Sequence, residues 1–377
     1  MPEFFLIKNH LEKSGGLEKS LDRISSSLIQ KDYSIEILTS SKKESSIPAL
    51  NFKTFTTYKK PHFLQLLSFD RQVRSYLKNF PHSTILGFDR TTWQTHMRLG
   101  NGIHASFLEK RALFDTFIKK STYFMNPLHQ TILHLEKKAF QNPLLQTILC
   151  NSFMVKEEIE KFYPFVESNK IFVLHNGVEY EEMAPYFQNW SEKRIFLYQK
   201  HHLNPHKHQF LFVGNDFKRK GLLLVLQSLF HLNPEEYELS VVGSDKNINF
   251  YKSYVKKHNL ESNVKFFGIQ RPLYDFFILA DTYILPTFYD PFANVTLEAL
   301  SMGVYVLTSS HNGGKEVLKA GIGKVLENIL DTDCLMTNLK ARINSPKTKE
   351  SAQIIRNSVK DYDFANHMDK LIQWLVK

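Results

Sequence analysis

Between Phe288 and Leu300 the chain reads FYDPFANVTLEAL, with two carboxylates, Asp290 and Glu298, eight residues apart. The residues between them pass from loop formers (Pro291, Asn294) to small and β-branched side chains (Ala293, Val295, Thr296), which predicts a loop turning into a helix between Asn294 and Thr296. The unpaired N–H groups of such a first turn form an anion site. Glu298, a turn further in, suits a hydroxyl pair such as a ribose diol, and Asp290, on the loop, can accept from the hydroxyls of another sugar. The bland alternative is two acids that only favour the helix macrodipole.

A second stretch, NDFKRKG, sets Lys218, Arg219 and Lys220 between an apolar run and the start of a helical pattern. A guanidinium offers forked donors to phosphate oxygens, an ammonium a mobile point charge, and a helix start adds partial positive charge. A solvated basic turn is the alternative.

These loops must be held by strands. From Phe210 onward the chain alternates strand and helix five times (FLFVG, YELSVVG, VKFFG, TYILPT and VYVLTSS, each followed by a helical or glycine-containing segment), the pattern of a doubly wound sheet. Ligands of such sheets sit at the strands' carboxyl ends, where both loops fall. The first half opens with FFLIK, the turn SGG, a helix with Leu17, Leu21, Ile24 and Leu28 on one face, and YSIEILT; further strands are predicted at 83–88, 146–152 and 170–177. The polar, histidine-rich stretch 186–209 has no sustained period. The expected organisation is an α/β protein with two Rossmann-like domains facing a central cleft. A first domain spans 1–185, a linker 186–209, a second domain 210–355, and a C-terminal helix 356–377 is free to cross back to the first.

Composition agrees. At 377 residues the chain exceeds one ordinary domain and fits two of roughly 150 to 200. Forty-eight basic against 38 acidic side chains give +10, so anionic partners are expected: nucleic acid, phosphorylated small molecules or an anionic membrane surface. Cys150 and Cys334 lie too far apart for a CxxC site, and neither a disulfide framework nor a zinc site is expected. Only four consecutive apolar residues precede Lys8, too few for a signal peptide, and the longest apolar run, in GLLLVLQSLF, falls far short of the ~18 to 20 residues of a span. A cytoplasmic chain with at most peripheral membrane contact is the expectation.

VGNDFKRKG, followed by an acid, seven residues and a Glu, resembles the retaining nucleotide-sugar glycosyltransferases of family 4, which have the GT-B fold. Their signature is Glu, seven residues, Glu; here Asp290 stands first, one methylene shorter. SGGLEKSLDRI, ILCNSFMVKEEIEKFYP with IFVLHNGV, and ALSMGVYVLTSSHNGGKEVL extend the resemblance over nearly the whole chain. LGFDR and LEKKAF bring it nearest to members that glucosylate a heptose of the lipopolysaccharide inner core.

The resemblance implies roles. Arg219 and Lys220 would neutralise the donor diphosphate. Glu298 would hold the nucleotide ribose, while Asp290 and the backbone of Phe292, Ala293, Asn294 and Val295 would position the donor sugar. Gly15 and Gly16 would let the first domain approach the diphosphate; by itself the pair is only a turn, since no third glycine completes GxGxxG. His104 would lie near the sugar's C6 hydroxyl, unless it is simply packed. Asp89, Arg90 and Arg98 would meet the acceptor and its phosphates, unless they are surface residues. The family needs no metal or other cofactor, and its substrates would be a nucleotide-sugar, here UDP-glucose, and a lipopolysaccharide core acceptor.

Other features compete. DTD at Asp331 to Asp333 matches the DxD of metal-dependent transferases but also reads as a helix cap. His201, His202, His206 and His208 lack supporting Cys or acids. From Ile103 to Phe140, Lys110, Arg111, Lys119, Lys120, Lys137 and Lys138 alternate with aromatics, which suits an anionic membrane interface through Lys119, Lys120 and Tyr123. Alternatively Phe107, Phe114, Phe117 and Phe124 pack on the first sheet. A nucleotide-sugar epimerase of the same fold, or a basic nucleic-acid-binding protein, remains a rival reading. The charge alone supports the latter, and no nucleic-acid motif accompanies it.

Overall fold

A computed structural model of the chain describes residues 2–11, 16–41 and 50–376, with the backbone alone for 16–20. Gly15 lies outside the described residues. The chain divides into two compact units, Met1–Asn176 with Ala365–Lys377, and Gly177–Phe364.

The first unit is a parallel sheet of β1 (Phe4–Ile7), β2 (Ile35–Thr39), β3 (Asn51–Thr54), β4 (Thr84–Gly87), β5 (His96–Leu99), β6 (Thr147–Cys150) and β7 (Ile171–Val173), in the order β3-β2-β1-β4-β5-β6-β7. Its first crossover is the helix Gly16–Ile29, whose Leu21, Ile24 and Leu28 are buried as their spacing predicts. β3 and β5 have no counterpart in the sequence reading. β3 is a largely exposed edge strand (NFKT), so burial never imposed an apolar pattern on it. β5 (HMRL) is fully buried but spends two of its four positions on His96 and Arg98, which hides it from hydrophobic periodicity.

The second unit holds β8 (His208–Val213), β9 (Tyr237–Val242), β10 (Val264–Gly268), β11 (Thr282–Leu285), β12 (Tyr305–Ser309) and β13 (Gly323–Leu326), ordered β10-β9-β8-β11-β12-β13. Both sheets therefore follow the doubly wound order, with the switch point beside the first strand of each. β8, β9, β11 and β12 are almost wholly buried and mostly apolar, although β8 opens with His208 and Gln209 and β9 carries Glu238 and Ser240.

The expected linker at 186–209 is corrected. Helices Tyr180–Gln188 and Trp190–Lys200 occupy most of it, and their Met183, Phe187, Trp190, Leu197 and Tyr198 belong to the second unit's core. Arg194 Nη2 donates to Asp281 Oδ1 at 2.8 Å and to Leu279 O at 2.7 Å, fastening the second helix to the start of β11. Charges used for such internal pairing obscured the helical period. The chain instead passes between units at Asn176/Gly177 and at Phe364/Ala365. Its last helix, Phe364–Val376, belongs to the first unit from Ala365 on, where Trp374 lies 4.0 Å from the Phe172 ring.

Candidate active site

Short connections build the site of the second unit. After β8 the residues of NDFKRKG form a four-residue helix, Phe217–Lys220, rather than an open loop. Asp216 caps it in a left-handed conformation (φ 59°), and Phe217 N donates to Asp245 Oδ2 at 2.7 Å. Gly221 follows at φ 82°, where a Cβ would stand 2.1 Å from Pro286 O. Only glycine permits that approach, and it sets the cationic turn directly against the segment after β11.

The two connections are then stitched together. Phe288 N and Thr287 Oγ1 donate to Arg219 O at 2.8 and 3.1 Å, and Arg219 Nη1 donates to Tyr289 O at 2.7 Å. Lys220 Nζ donates to Asp290 Oδ2, and Arg219 Nη1 lies 3.5 Å from the same oxygen. Asp290 Oδ1 accepts from Phe292 N at 3.2 Å. Burial alone would raise the Asp290 pKa, but Lys220 and Arg219 hold it below the usual carboxylate value, so the acid is ionised.

The predicted helix is present as Asn294–Ser301, with Ala293 as its N-cap and no side chain capping it. Phe292 and Ala293 are buried, Asn294 and Val295 half-buried, and Glu298 half-buried one turn in. Arg219, Lys220 and Asp290 are thus brought together at the carboxyl ends of adjacent strands β8 and β11, with the start of the Glu298 helix immediately after. Such a cluster can hold a diphosphate and orient hydroxyls beside it. Sequence reasoning missed Thr287 and Asn312, whose hydrogen bonds tie these connections; neither has a motif to announce it.

The first-unit candidates are arranged differently. Asp89 follows β4 and accepts from Lys8 Nζ at 3.1 Å and Asn9 N at 2.6 Å. Arg90 donates through Nε to Glu136 Oε2 at 2.5 Å and through Nη2 to Gly102 O at 2.7 Å. Both residues line a cavity of about 180 Å³ together with Lys8, Asn9, Asp70 and Phe69.

Arg98 requires correction. It is buried on β5 and donates through Nη2 to Asn176 Oδ1 at 3.0 Å and toward His367 Nε2 at 3.3 Å, so its task is to tie the returning helix rather than to meet an acceptor phosphate at the surface. Burial lowers even its guanidinium to about 10.

His104 begins the helix His104–Arg111, with its ring buried against Phe107 and its Nε2 3.0 Å from His129 Nδ1. Burial, then the nearby Arg90, pushes it down to about 3. Its backbone N donates to both Glu136 oxygens, at 3.1 and 3.0 Å, and Tyr163 Oη donates to Glu136 Oε1 at 2.7 Å. Glu136, wholly buried within the quoted LEKKAF, is the hub that the sequence reading passed over. Gly16 opens the helix Gly16–Ile29.

Of the membrane candidates, Tyr123 is corrected: it is buried, and its hydroxyl donates to Asp115 Oδ2 at 2.8 Å. Lys119 also pairs with Asp115, at 3.1 Å, while Lys120 is half-buried. Phe117 and Phe124 do not pack on the sheet; they are 84% and 83% exposed. Asp331 of DTD caps the helix Thr332–Ile343 by accepting from Cys334 N at 2.8 Å. Among the described residues no group of three or more His, Cys, Asp or Glu side chains is placed to hold a metal ion, and no helix is long and apolar enough to cross a membrane.

The chain is 23% identical over 365 residues, 94% of either length, to the lipopolysaccharide glucosyltransferase WaaG of Escherichia coli (strain K12). A crystal structure of WaaG, a glycosyltransferase involved in lipopolysaccharide biosynthesis, superposes with a TM-score of 0.83 at 21% identity, covering 99% of both chains. The Anabaena protein Alr3699/HepE, solved in complex with UDP-glucose, superposes at 0.69 with 14% identity and 99% of both chains covered. These likenesses establish the GT-B fold. Residues 14–182 match the family model Glycosyltransferase Family 4 and residues 193–361 match Glycosyl transferases group 1, so the chain carries these two glycosyltransferase domains in succession.

Proposed function

We propose that this protein is a retaining, metal-independent glycosyltransferase that moves glucose from UDP-glucose onto a heptose of the lipopolysaccharide inner core. The observation that carries the reading is the convergence of Arg219, Lys220 and Asp290 beside the Glu298 helix. It stands in a chain that aligns along 94% of its length with a lipopolysaccharide glucosyltransferase. As the bond between the sugar and the diphosphate breaks, negative charge grows on the leaving phosphate. Arg219 and Lys220, fixed before the reaction, stabilise that charge, a role worth about 3 to 4 kcal/mol for a single donor. The same two cations supply the charge that a metal ion would otherwise bring, and no cofactor is invoked. Glu298 takes the ribose hydroxyls, and the 290–295 segment orients the glucose.

Both Asp290 oxygens are engaged, one by Lys220 and the other by Phe292 N. That favours transfer on one face of the sugar over attack by Asp290 as a nucleophile. Asp89, on the cavity of the first unit, is assigned to the acceptor, while Arg90 on the same cavity is held by Glu136 and Gly102 O.

The acceptor's lipid anchor places the enzyme at the inner leaflet, peripherally bound from the cytoplasmic side. Phe117, Ile118, Phe124 and Met125 are at least 77% exposed on and just after the short helix Phe117–Ser121, with Lys119 and Lys120 among them. Asp115 pins that helix through Arg111, Lys119 and Tyr123. Apolar side chains entering the interface and lysines meeting anionic headgroups, each worth roughly 1 kcal/mol, suit an anionic bilayer. Vesicle binding should need anionic lipid, weaken with salt, and fall when Phe117 and Phe124 are both replaced by Ser; equal binding to neutral vesicles would remove this contact.

The transfer itself is tested by incubating the protein with UDP-glucose or UDP-GlcNAc, with and without truncated lipopolysaccharide. Glucosylated acceptor should form only when UDP-glucose and lipopolysaccharide are both present, and EDTA should not slow it. An epimerised nucleotide-sugar formed without acceptor, or a strict requirement for Mn²⁺ or Mg²⁺, would overturn the reading.

A further inference from the structure

We propose that Asn312 is a positioning residue of this donor site, fixing the Asp290 segment and the first turn of the Glu298 helix through a single side-chain amide. The inference rests on the donor assignment made above.

Asn312 lies three residues beyond β12 and is fully buried. Its Oδ1 accepts from Ala293 N at 3.1 Å and Gly314 N at 2.9 Å. Its Nδ2 donates to Thr296 Oγ1 at 3.1 Å and Thr308 Oγ1 at 3.0 Å. The orientation of the amide is forced: backbone N–H groups only donate, and Thr308 Oγ1, which donates to Leu285 O at 2.9 Å, must accept from Nδ2. Beside it, Asp290 N donates to His311 O at 3.0 Å and Gly313 N to Asp290 O at 2.9 Å, an isolated parallel bridge outside the sheet.

One amide therefore joins four places: the N-cap of the Glu298 helix, its first turn, the end of β12, and the 3₁₀ turn Gly313–Val317. No other side chain combines the required chemistry in this shape. A carboxylate would accept from Ala293 and Gly314 but could not donate to two hydroxyls. A leucine would leave two buried N–H groups unpaired. The turn is closely packed on the amide, since a Cβ on Gly314 would stand 3.1 Å from both Asn312 Oδ1 and Thr296 Oγ1.

The Asp290 carboxylate reaches the cationic turn through Lys220, while its backbone is held by His311 and Gly313. Asn312 thus sets the distance between the cations and the helix start, without needing to touch the donor. A misplacement of about 1 Å at such a site lowers turnover by up to roughly 10².

Asn312→Ala and the isosteric Asn312→Asp test this in the full chain, by amide hydrogen exchange of the ligand-free protein, UDP affinity, and kinetics with UDP-glucose. Exchange should rise at residues 290–296 and 312–317 while β8 to β10 keep wild-type protection. The kcat should fall by roughly 10 to 100-fold, with UDP affinity within about threefold of wild type. Unchanged exchange at 290–296, a rise spread evenly over the unit, or a loss of turnover matched by loss of UDP binding would each overturn the proposal. If the wild-type protein does not turn over UDP-glucose, the donor assignment fails, while local exchange still decides whether Asn312 holds the segment.

Discussion

The two units share one strand order yet use the residues beyond their strands in opposite ways. In the second unit, residues 214–216 alone separate β8 from the next helix, and 286–293 separate β11 from the helix that follows. Connections this short have no interior of their own, so Arg219, Lys220 and Asp290 are gathered at the strand ends. In the first unit, β5 and β6 are separated by residues 100–146, which fold into helices with buried side chains of their own. There His104 pairs with His129, Arg90 with Glu136 and Tyr123 with Asp115. Length alone does not decide the outcome: Arg90, on the short connection 88–95, is drawn to Glu136 of a long insertion, whereas Arg219 and Lys220 meet the neighbouring short connection 286–293.

The sharpest way to break this contrast is at Glu136. Glu136→Ala removes the acceptor of Arg90 Nε, His104 N and Tyr163 Oη at once, and removing one partner of a buried ion pair typically costs roughly 3 to 5 kcal/mol. Denaturant unfolding should register that loss; less than about 1 kcal/mol would mean the first unit's network is not a structural hub.

Lys220→Ala in the second unit also unpairs a buried carboxylate, Asp290, but in protein that still folds it should cut kcat by roughly 10², with Arg219→Ala similar. Near-normal turnover in both folded variants would make these cations as structural as those of the first unit and dissolve the comparison. Glu298→Ala should weaken UDP binding by roughly tenfold, the order expected for one hydrogen-bonded charged group, while Asp290→Ala should lower turnover as well. Calorimetric UDP affinity separates the two; unchanged binding in Glu298→Ala would count against the ribose assignment.

A smaller, graded effect concerns acid. His104 and His367 in the first unit are pushed down to about 3, chiefly by burial and then by Arg90 and Arg98 respectively, and His208 in the second to about 4, chiefly by burial. Each folded value lies below the unfolded one near 6.5, so the stability contributed by a neutral ring is complete above that pH and declines as pH falls toward the folded value. Every such histidine costs about 1 kcal/mol per pH unit across that window. Hydrogen exchange should show the first unit, with two of the three, loosening earlier between about pH 6 and 4. A second unit that opens first would reverse the assignment.

Much of the second unit was legible because its strands are buried on both faces and its loops are short. Apolar stretches marked β8, β9, β11 and β12, and the change from loop formers to small and β-branched residues after Pro291 marked the helix start. The first unit was less legible where polar residues are buried, as in β5, or where burial is weak, as in β3. The stretch 186–209 looked like a linker because Arg194 serves an internal ion pair, which no period reveals.

Local pattern, then, was enough to determine the two-unit α/β organisation, the cationic turn and the acid pair, because each is encoded in residues adjacent along the chain. Tertiary structure alone decided which partner each charge meets. Arg90 and Arg219 are the same side chain after a strand, but one meets Glu136, 46 positions away, and the other meets Tyr289 O and approaches Asp290, about 70 away. Asn312 and Ala293 likewise meet across 19 positions. A buried polar group takes whichever partner the fold brings within about 3 Å, and that distance is set by how the sheets close, not by neighbours in sequence.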